Sequence, residues 1–399
     1  MSPEPIRLAI VGCGGMARGH LRGYAAIKQQ EPSLFELVAV CDPVRERAES
    51  FAQEAAQWQS TAPKVETNFE RMIARLKPNA VDFVTPHSLH HVQGIAALSA
   101  GADVMIEKPI GITVRATQAI IKAGKLRKRW VATAENIRRG PFQRTARWAI
   151  QEQGMIGQPR LFHAEHASYH APHPESQWHW RCSSLLGGGG MVMDSGAHFC
   201  DTIRYLYGDV ESVYAIVKQW EERPMVRGKR RAKDQREDTW AAVINFESGL
   251  NGVWSWSIAA PGHSFSKMVC YGSEGCLLDS GDIFHGPFEG ARFIAKDGTE
   301  RPITEVRDEF LKAIGPDERE RLFPHGFTEG VTLECYDFLA AIRDNRAPEV
   351  DGEAGLKAKA ISEAIFESGA TGKAVRMKDV LANKVDAYQR PIDEALGLV

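Results

Sequence analysis

A lysine, an aspartate and a histidine carry the most specific chemistry that this chain of 399 residues offers. Lys108 closes the run Val104-Met105-Ile106-Glu107 and is followed at once by Pro109, which turns the chain away. Asp194 and His198 lie in the segment 193–206, whose apolar residues Ala197, Phe199, Ile203 and Leu206 recur at helical spacing. If that segment is a helix, both side chains fall on one face, one turn apart. Oxidising a secondary alcohol removes a hydride from carbon and a proton from oxygen, so the site needs a base and a cation where the alkoxide develops. A histidine imidazole, with an ordinary pKa of about 6.5, can be that base. Proton transfer by a positioned group is worth ~10²–10⁴ in rate. The lysine supplies the fixed positive charge, and the aspartate supports the histidine as it takes the proton.

Such a trio is useful only beside a hydride acceptor, and the start of the chain carries a signal for one. The apolar stretch 6–11 runs into Gly12-Cys13-Gly14-Gly15-Met16-Ala17, a G-x-G-x-x-A pattern. Its last position needs only a small residue for packing of helix on strand. A helix over 18–29 and a strand over 35–41 follow, and the strand ends in Asp42, about 25 residues beyond Ala17, near the spacing of a ribose-binding carboxylate. A carboxylate there accepts both ribose hydroxyls of NAD and repels the 2′-phosphate of NADP, although Arg45 and Arg47 leave NADP open. The alternation continues with helices over 44–57 and 69–76, a strand over 80–84 closing in Thr85-Pro86-His87-Ser88-Leu89-His90, a helix over 91–100, a strand over 104–106, a helix over 114–123 and a strand over 130–134. Lys108 therefore falls at the carboxyl edge of a parallel strand, where open α/β sheets bind ligands.

From residue 135 the pattern changes. A helix is expected over 143–153, then alternating strands over 160–170, 210–217, 239–246, 249–257 and 267–271, joined by turns such as Glu247-Ser248-Gly249. Strands in succession imply a largely antiparallel sheet, and the chain closes with helices over 329–345 and 355–368. The expectation is an α/β protein of two domains: a dinucleotide-binding domain over 1–134, and an α+β domain over 135–399 with a large open sheet for substrate binding and oligomerisation.

Composition narrows the partners. Lys plus Arg number 49 against 51 for Asp plus Glu, a balance that favours neither nucleic acid nor membrane. The seven cysteines form no close CxxC pair, so reduced, buried thiols are expected. No apolar run approaches the roughly 20 residues needed to span a bilayer, and residues 1–5 lead directly into a strand, so a cytoplasmic protein is expected. His163, His166, His170, His173 and His179 crowd one region. On a strand His166 and His170 share a face that His163 opposes, so they do not converge on one ion and no metal site is expected. The basic stretch 223–236 reads as a solvated hairpin loop.

Taken together, Gly12 to Ala17, Thr85-Pro86 with His90, Glu107-Lys108-Pro109, the run Gly188-Gly189-Gly190 followed by Asp194, Gly196, His198 and Asp201, and the late Gly355-Leu356 helix ending near Gly372 resemble the Gfo/Idh/MocA oxidoreductases. The likeness covers nearly the whole chain. It implies a Rossmann domain plus an open-sheet domain and a catalytic trio of Lys108, Asp194 and His198. It also implies an NAD(P) site built from Gly12, Gly14, Gly15, Met16, Ala17, Asp42, Thr85, Pro86, His87, His90, Glu107 and Lys108, with His87 standing where many members carry Asn. A cis bond before Pro109 and a homodimer or homotetramer through the open sheet face are further implications, with an arm from the tail 382–399 as another contact. The reaction implied is oxidation of a secondary hydroxyl of a sugar, sugar derivative or cyclitol, with Asn136, Arg138, His166, Trp180, Arg181, Asp194 and His198 facing the substrate. Two alternatives stay open on the same cofactor site: glycoside cleavage through transient C3 oxidation, and a non-catalytic sensor of dinucleotide or sugar.

Overall fold

The computed structural model describes residues 4–279, 281 and 283–399, and the chain divides into two compact units. The first holds the chain up to Ile112, then Ala116–Arg139 and Glu320–Leu356. Its strands are β1 (Ile6–Val11), β2 (Phe35–Cys41), β3 (Lys64–Glu66), β4 (Ala80–Phe83), β5 (Asp103–Glu107) and β6 (Val131–Ala134). They form one parallel sheet in the order β3-β2-β1-β4-β5-β6. Between them run α1 (Gly15–Gln30), α2 (Arg45–Ala55), α3 (Phe69–Leu76), α4 (His90–Ser99) and α5 (Val114–Arg127). The strand order reverses between β1 and β4, so the carboxyl ends of those strands open a crevice for a ligand. This is the Rossmann arrangement.

Strand alternation divides the core into two layers. Leu8, Ile10, Phe35, Leu37 and Met105 pack on the α1 side, whereas Ala9, Val11, Ala39, Val104 and Ile106 pack with Phe69, Met72, Leu98 and Ile120 on the other. The helix Gly330–Arg343 belongs to the first layer: its Val331, Cys335, Phe338 and Leu339 meet Leu21, Tyr24 and Ile27 of α1. Gly23 permits the approach, because a Cβ there would lie 3.2 Å from the Thr332 backbone. A bridge from Ala132 to Asp351 and the bond from Thr133 N–H to the Val350 carbonyl then add the following segment to the edge of β6. A linear division at 134 and 135 misses this return, since the apolar face of α1 needs a cover that only a distant helix supplies.

The second unit comprises Thr113–Arg115, Gly140–Arg319 and Lys357–Val399. Its strands are β7 (Pro159–Ala167), β8 (Ser176–Gln177), β9 (Val210–Lys218), β10 (Pro224–Arg227), β11 (Arg230–Lys233), β12 (Thr239–Phe246), β13 (Asn251–Ser257), β14 (Phe265–Gly272), β15 (Gly275–Asp279), β16 (Arg292–Ala295), β17 (Glu300–Pro302) and β18 (Val375–Arg376). Nine of them form a mixed sheet, β17-β16-β15-β14-β7-β13-β12-β9-β18, antiparallel except where β7 pairs with β13. Trp240, Ala242 and Ile244 of β12, Trp254 and Trp256 of β13 and Phe162 and Ala164 of β7 point to one buried face. The helix Ser195–Tyr207 covers it, with Phe199 at 4.5 Å from Trp254. Gly252 is required under Phe162, whose ring atoms would lie 1.6 Å from a Cβ. The opposite face exposes Leu161, Tyr214, Ile216, Val243, Phe265 and Tyr271.

The basic stretch 223–236 forms the β10–β11 hairpin, which joins β8 in a three-stranded sheet. The helix expected over 143–153 starts at Pro141 and becomes a π-helical turn over Trp148–Glu152. The helices Ile303–Ala313 and Gly315–Leu322 and the short strands β3 and β15 to β17 are additions to the sequence expectation. All seven cysteines are free. No described helix is long and apolar enough to cross a membrane.

The tail folds back on its own unit. The fully buried Glu367 accepts the backbone N–H groups of Tyr388 and Gln389 and the Gln389 Nε2. Gln389 Oε1 accepts the Val114 N–H at 2.8 Å, and Asp393 accepts the Thr113 hydroxyl at 2.6 Å. Gln389→Leu keeps the volume but removes both side-chain bonds, leaving an amide and a carboxylate short of partners. Each such loss costs about 1–3 kcal/mol, so the variant is expected to unfold at clearly lower denaturant concentration. A midpoint equal to that of the parent chain would refute the role given to Gln389.

Candidate functional site

In the Rossmann unit, the turn after β1 is shaped by a steric limit. Gly12 has φ +93°, and a Cβ on it would lie 2.2 Å from the Val84 carbonyl oxygen, so no side chain fits where β1 passes β4. Gly14 is the N-cap of α1 without a side-chain cap, and Cβ atoms built on Gly14 or Gly15 would meet nothing within 4 Å. The first amides of α1 thus face an open cradle, which with the helix dipole suits a pyrophosphate. Met16 is exposed beside it, while Ala17 is enclosed, as helix packing on the strand demands. Asp42 ends β2 and is held by the turn itself: its Oδ2 accepts the Cys13 N–H at 2.9 Å and its Oδ1 the Val44 N–H at 2.8 Å. These residues fit a dinucleotide.

After β4, Thr85 and Pro86 lead into the turn His87–Leu89. The Thr85 hydroxyl donates to Gln93, and His87 is buried. His90 is enclosed between the Thr85 carbonyl, 2.8 Å from its Nε2, and the Pro109 carbonyl, 3.0 Å from its Nδ1. Burial lowers its pKa, and its two contacts tie this turn to the Lys108–Pro109 segment. The Lys108–Pro109 peptide is cis. Glu107 is turned inward: Oε1 lies 3.0 Å from His20 Nε2, and Oε2 accepts the Lys108 N–H at 3.0 Å. Asn136 and Arg138 lie beyond β6, half-buried, and Gly330 packs on the Asn136 carbonyl so closely that a Cβ would come within 2.3 Å. The neighbouring Arg139 is buried and paired with Asp337 and Glu349, each at 3.2 Å.

The second unit places Asp194 and His198 as the helical spacing implies. The helix begins at Ser195, and Asp194 is its N-cap residue, yet its side chain makes no capping bond. It forms an ion pair with Arg181, Nε to Oδ2 at 2.7 Å, and the Arg181 guanidinium also stacks on Trp180 at 4.3 Å. Three of the expected substrate residues, Trp180, Arg181 and Asp194, are therefore adjacent. His198 is buried one turn further, with its ring 5.2 Å from that of His285. A series of rings leads from there to His166: His285 to Phe284 at 6.3 Å, Phe284 to Trp256 at 6.3 Å, and Trp256 to His166 at 6.4 Å. His166 and His198 thus share the helix-covered side of the sheet. His163 points to the other face, 4.0 Å from Glu165.

Residues that sequence reasoning passed over hold this site in place. Glu237 is buried and accepts the Gly190 N–H at 2.8 Å and the Val192 N–H at 2.9 Å, fixing the loop ahead of Asp194. Burial pushes its pKa up, against the pull of those amides. The same loop receives the Tyr388 hydroxyl on the Gly188 carbonyl at 3.0 Å and the Lys359 ammonium on Met193 Sδ at 2.7 Å. Gln143 Nε2 donates to the His285 and Pro287 carbonyls at 2.8 and 3.0 Å and so sets the His285 loop. The signal available in sequence was polarity: Glu237 enters the strand region 239–246, and Gln143 precedes an apolar helix face, but neither names its partner.

Comparison with known proteins adds an independent line. Residues 6–134 match the model described as the oxidoreductase family, NAD-binding Rossmann fold. Residues 144–278 match the GFO/IDH/MocA C-terminal domain. Levoglucosan dehydrogenase of Pseudarthrobacter phenanthrenivorans is 26% identical over 390 residues, covering 92% of this chain and 97% of the relative. The 1,5-anhydro-D-fructose reductase of Ensifer adhaerens is 25% identical over 343 residues, covering 86% and 91%. A solved structure of levoglucosan dehydrogenase in complex with NADH and levoglucosan superposes with a TM-score of 0.75 at 24% identity, covering 94% of this chain and 100% of that one. With both of its units matched in order, the chain belongs to the Gfo/Idh/MocA family of NAD-binding oxidoreductases.

Proposed function

We propose that this oxidoreductase is an NAD(P)-dependent dehydrogenase that oxidises a secondary hydroxyl of a sugar, sugar derivative or cyclitol. The observation that carries the proposal is the pairing of an open glycine turn backed by Asp42 with a family trio in which no member is missing. Gly12 to Ala17, Asp42 and the Thr85–His87 turn hold the cofactor, and a bound nicotinamide supplies the hydride acceptor. The free approach to Gly14 and Gly15 supports pyrophosphate binding there, and the Asp42 carboxylate supports NAD over NADP.

The His198 imidazole takes the hydroxyl proton, and the Lys108 ammonium donates to the same oxygen as negative charge grows on it. Asp194, held by Arg181, adds a fixed negative charge one turn from His198. Trp180 and His166 offer ring faces and Arg181 a hydrogen-bonding edge, a combination suited to the mixed apolar and hydroxyl faces of a sugar. Asn136 and Arg138 complete the assignment. The names of the relatives, levoglucosan dehydrogenase, 1,5-anhydro-D-fructose reductase and D-apiose dehydrogenase, direct the search to sugars, anhydrosugars, glycosides and inositols.

Such a panel, assayed with NAD and with NADP at the reduced-nicotinamide absorbance, is expected to give turnover with NAD on at least one compound. Release of aglycone from a glycoside without net NADH would replace oxidation by cleavage. Tight NADH binding with no turnover on any member would favour a sensor. Lys108→Ala is expected to lower kcat by roughly 10²–10³ while the Kd for NADH stays within about threefold, and near-parent turnover would sink the mechanism.

The exposed face of the nine-stranded sheet supports assembly of identical chains. Leu161 pairs with Tyr271 across β7 and β14, and Val243 pairs with Tyr214 across β12 and β9 with Ile216 on the same face, so four strands expose apolar side chains there. A homodimer or homotetramer through this face is the proposed form. Tyr214→Lys combined with Val243→Lys should shift the sedimentation mass toward that of one chain, and an unchanged mass would rule this face out.

A further inference from the structure

Strand alternation sends Asp82 of β4 and Glu107 of β5 to the α1 side of the Rossmann sheet, into the otherwise apolar layer beneath α1 and the helix Gly330–Arg343. Two carboxylates in such a layer require a positive partner. His20, one and a half turns into α1 and fully buried, supplies it. Its Nδ1 lies 2.8 Å from Asp82 Oδ2 and its Nε2 lies 3.0 Å from Glu107 Oε1. Glu334 approaches the same Nε2 at 3.6 Å, and the Tyr24 hydroxyl donates to Asp82 at 3.1 Å.

With a carboxylate oxygen before each ring nitrogen, both nitrogens donate and the ring is an imidazolium. Burial alone would lower the His20 pKa, but Asp82 raises it well above the ordinary value. Burial raises the Glu334 pKa well above the ordinary carboxylate range, against the pull of His20. Two trios that share His20, one with Asp82 and Cys335 and one with Glu107 and Glu334, lie close enough together to suggest a metal site. An imidazolium with two hydrogen bonds, however, has no lone pair to give an ion.

The remaining oxygen of Glu107 reaches forward. The ladder between β5 and β6 ends at Glu107 opposite Ala134, and the next amide, that of Lys108, donates to Glu107 Oε2 at 3.0 Å. The path Asp82, His20, Glu107, Lys108 N–H is therefore continuous, and it starts on the helix whose first turn forms the cofactor cradle. We propose that His20 is a positioning residue that sets the backbone of Lys108 through Glu107, so that α1 holds both the cradle and the strand-edge lysine in register. The inference rests on the reading of Lys108 as the group that touches the reacting oxygen.

The test compares His20→Gln, Glu107→Gln, the double variant and Lys108→Ala in the full chain. Hydrogen–deuterium exchange of the peptide spanning Lys108 needs no substrate. The Lys108 amide is expected to exchange roughly tenfold faster in His20→Gln and in Glu107→Gln, with the core of β1 and the first turn of α1 unchanged. On a panel compound that is turned over, His20→Gln and Glu107→Gln should each lose roughly 10- to 100-fold in kcat, the scale of a misplaced reacting group, with the Kd for NADH within about threefold in His20→Gln. Because His20 acts through Glu107, the double variant should be no worse than Glu107→Gln alone. Additive losses, or parent-like exchange and kcat in His20→Gln, would overturn the inference. Should His20→Gln fail to fold, Glu107→Gln decides: parent-like exchange at Lys108 would overturn it equally. Full turnover by Lys108→Ala would instead refute the catalytic reading of Lys108, leaving the exchange result to decide the structural link.

Discussion

A buried carboxylate must be met by donors inside the protein, because the water it leaves behind stabilised it by far more than any packing contact does. Both units obey this constraint where their chain is least regular. In the Rossmann unit His20 meets Asp82 and Glu107, and Arg139 meets Asp337 and Glu349. In the second unit the amides of Gly190 and Val192 meet Glu237, the tail meets Glu367, and Lys359 meets Glu363. The segments fixed in this way are the end of β5, the loop ahead of Asp194 and the tail over Gly188. All three lie next to the residues assigned to chemistry, so the positions of functional groups are set by hydrogen bonds of high cost to break.

The second unit adds an aromatic layer to this polar frame. Trp240 and Trp256 stack at 4.8 Å, and Phe284 touches both and Trp254 besides. These rings give His285 and His166 a rigid backing while the helix Ser195–Tyr207 presents His198 from above. Gly196 is what lets that helix approach, since a Cβ there would lie 2.8 Å from the Trp254 ring. The run of small residues before His198 thus reflects contact with an indole as well as a sharp turn. On the other side of the sheet the same alternation leaves Leu161, Tyr214, Ile216, Val243 and Tyr271 exposed.

The dinucleotide-binding unit was largely legible. A two-residue alternation, interrupted by Gly12 and Asp42, specifies strands, helices and the phosphate turn by local rules, and β2 and α3 match their expected limits. The second unit was legible in its long strands, where β12 matches throughout. It was not legible in β15 to β17, whose short strands carry too few alternating residues to stand out. The return of Gly330–Arg343 to α1 was hidden for a different reason: a helix announces that it has an apolar face, not which surface that face will cover.

The site divides in the same way. Sequence alone determined the glycine turn, Asp42, Lys108 at a strand edge, and Asp194 with His198 one turn apart, because each follows from periodicity or from a motif with fixed spacing. Only the tertiary structure decided that Asp194 pairs with Arg181 rather than capping its helix, that His285 stands beside His198, and that Glu107 turns inward to His20. Asp82 in β4 is an acid within an otherwise apolar strand, and that conflict could be read as a demand for a partner. Its answer, a histidine on another element, depended on how α1 crosses the sheet, which no local pattern encodes.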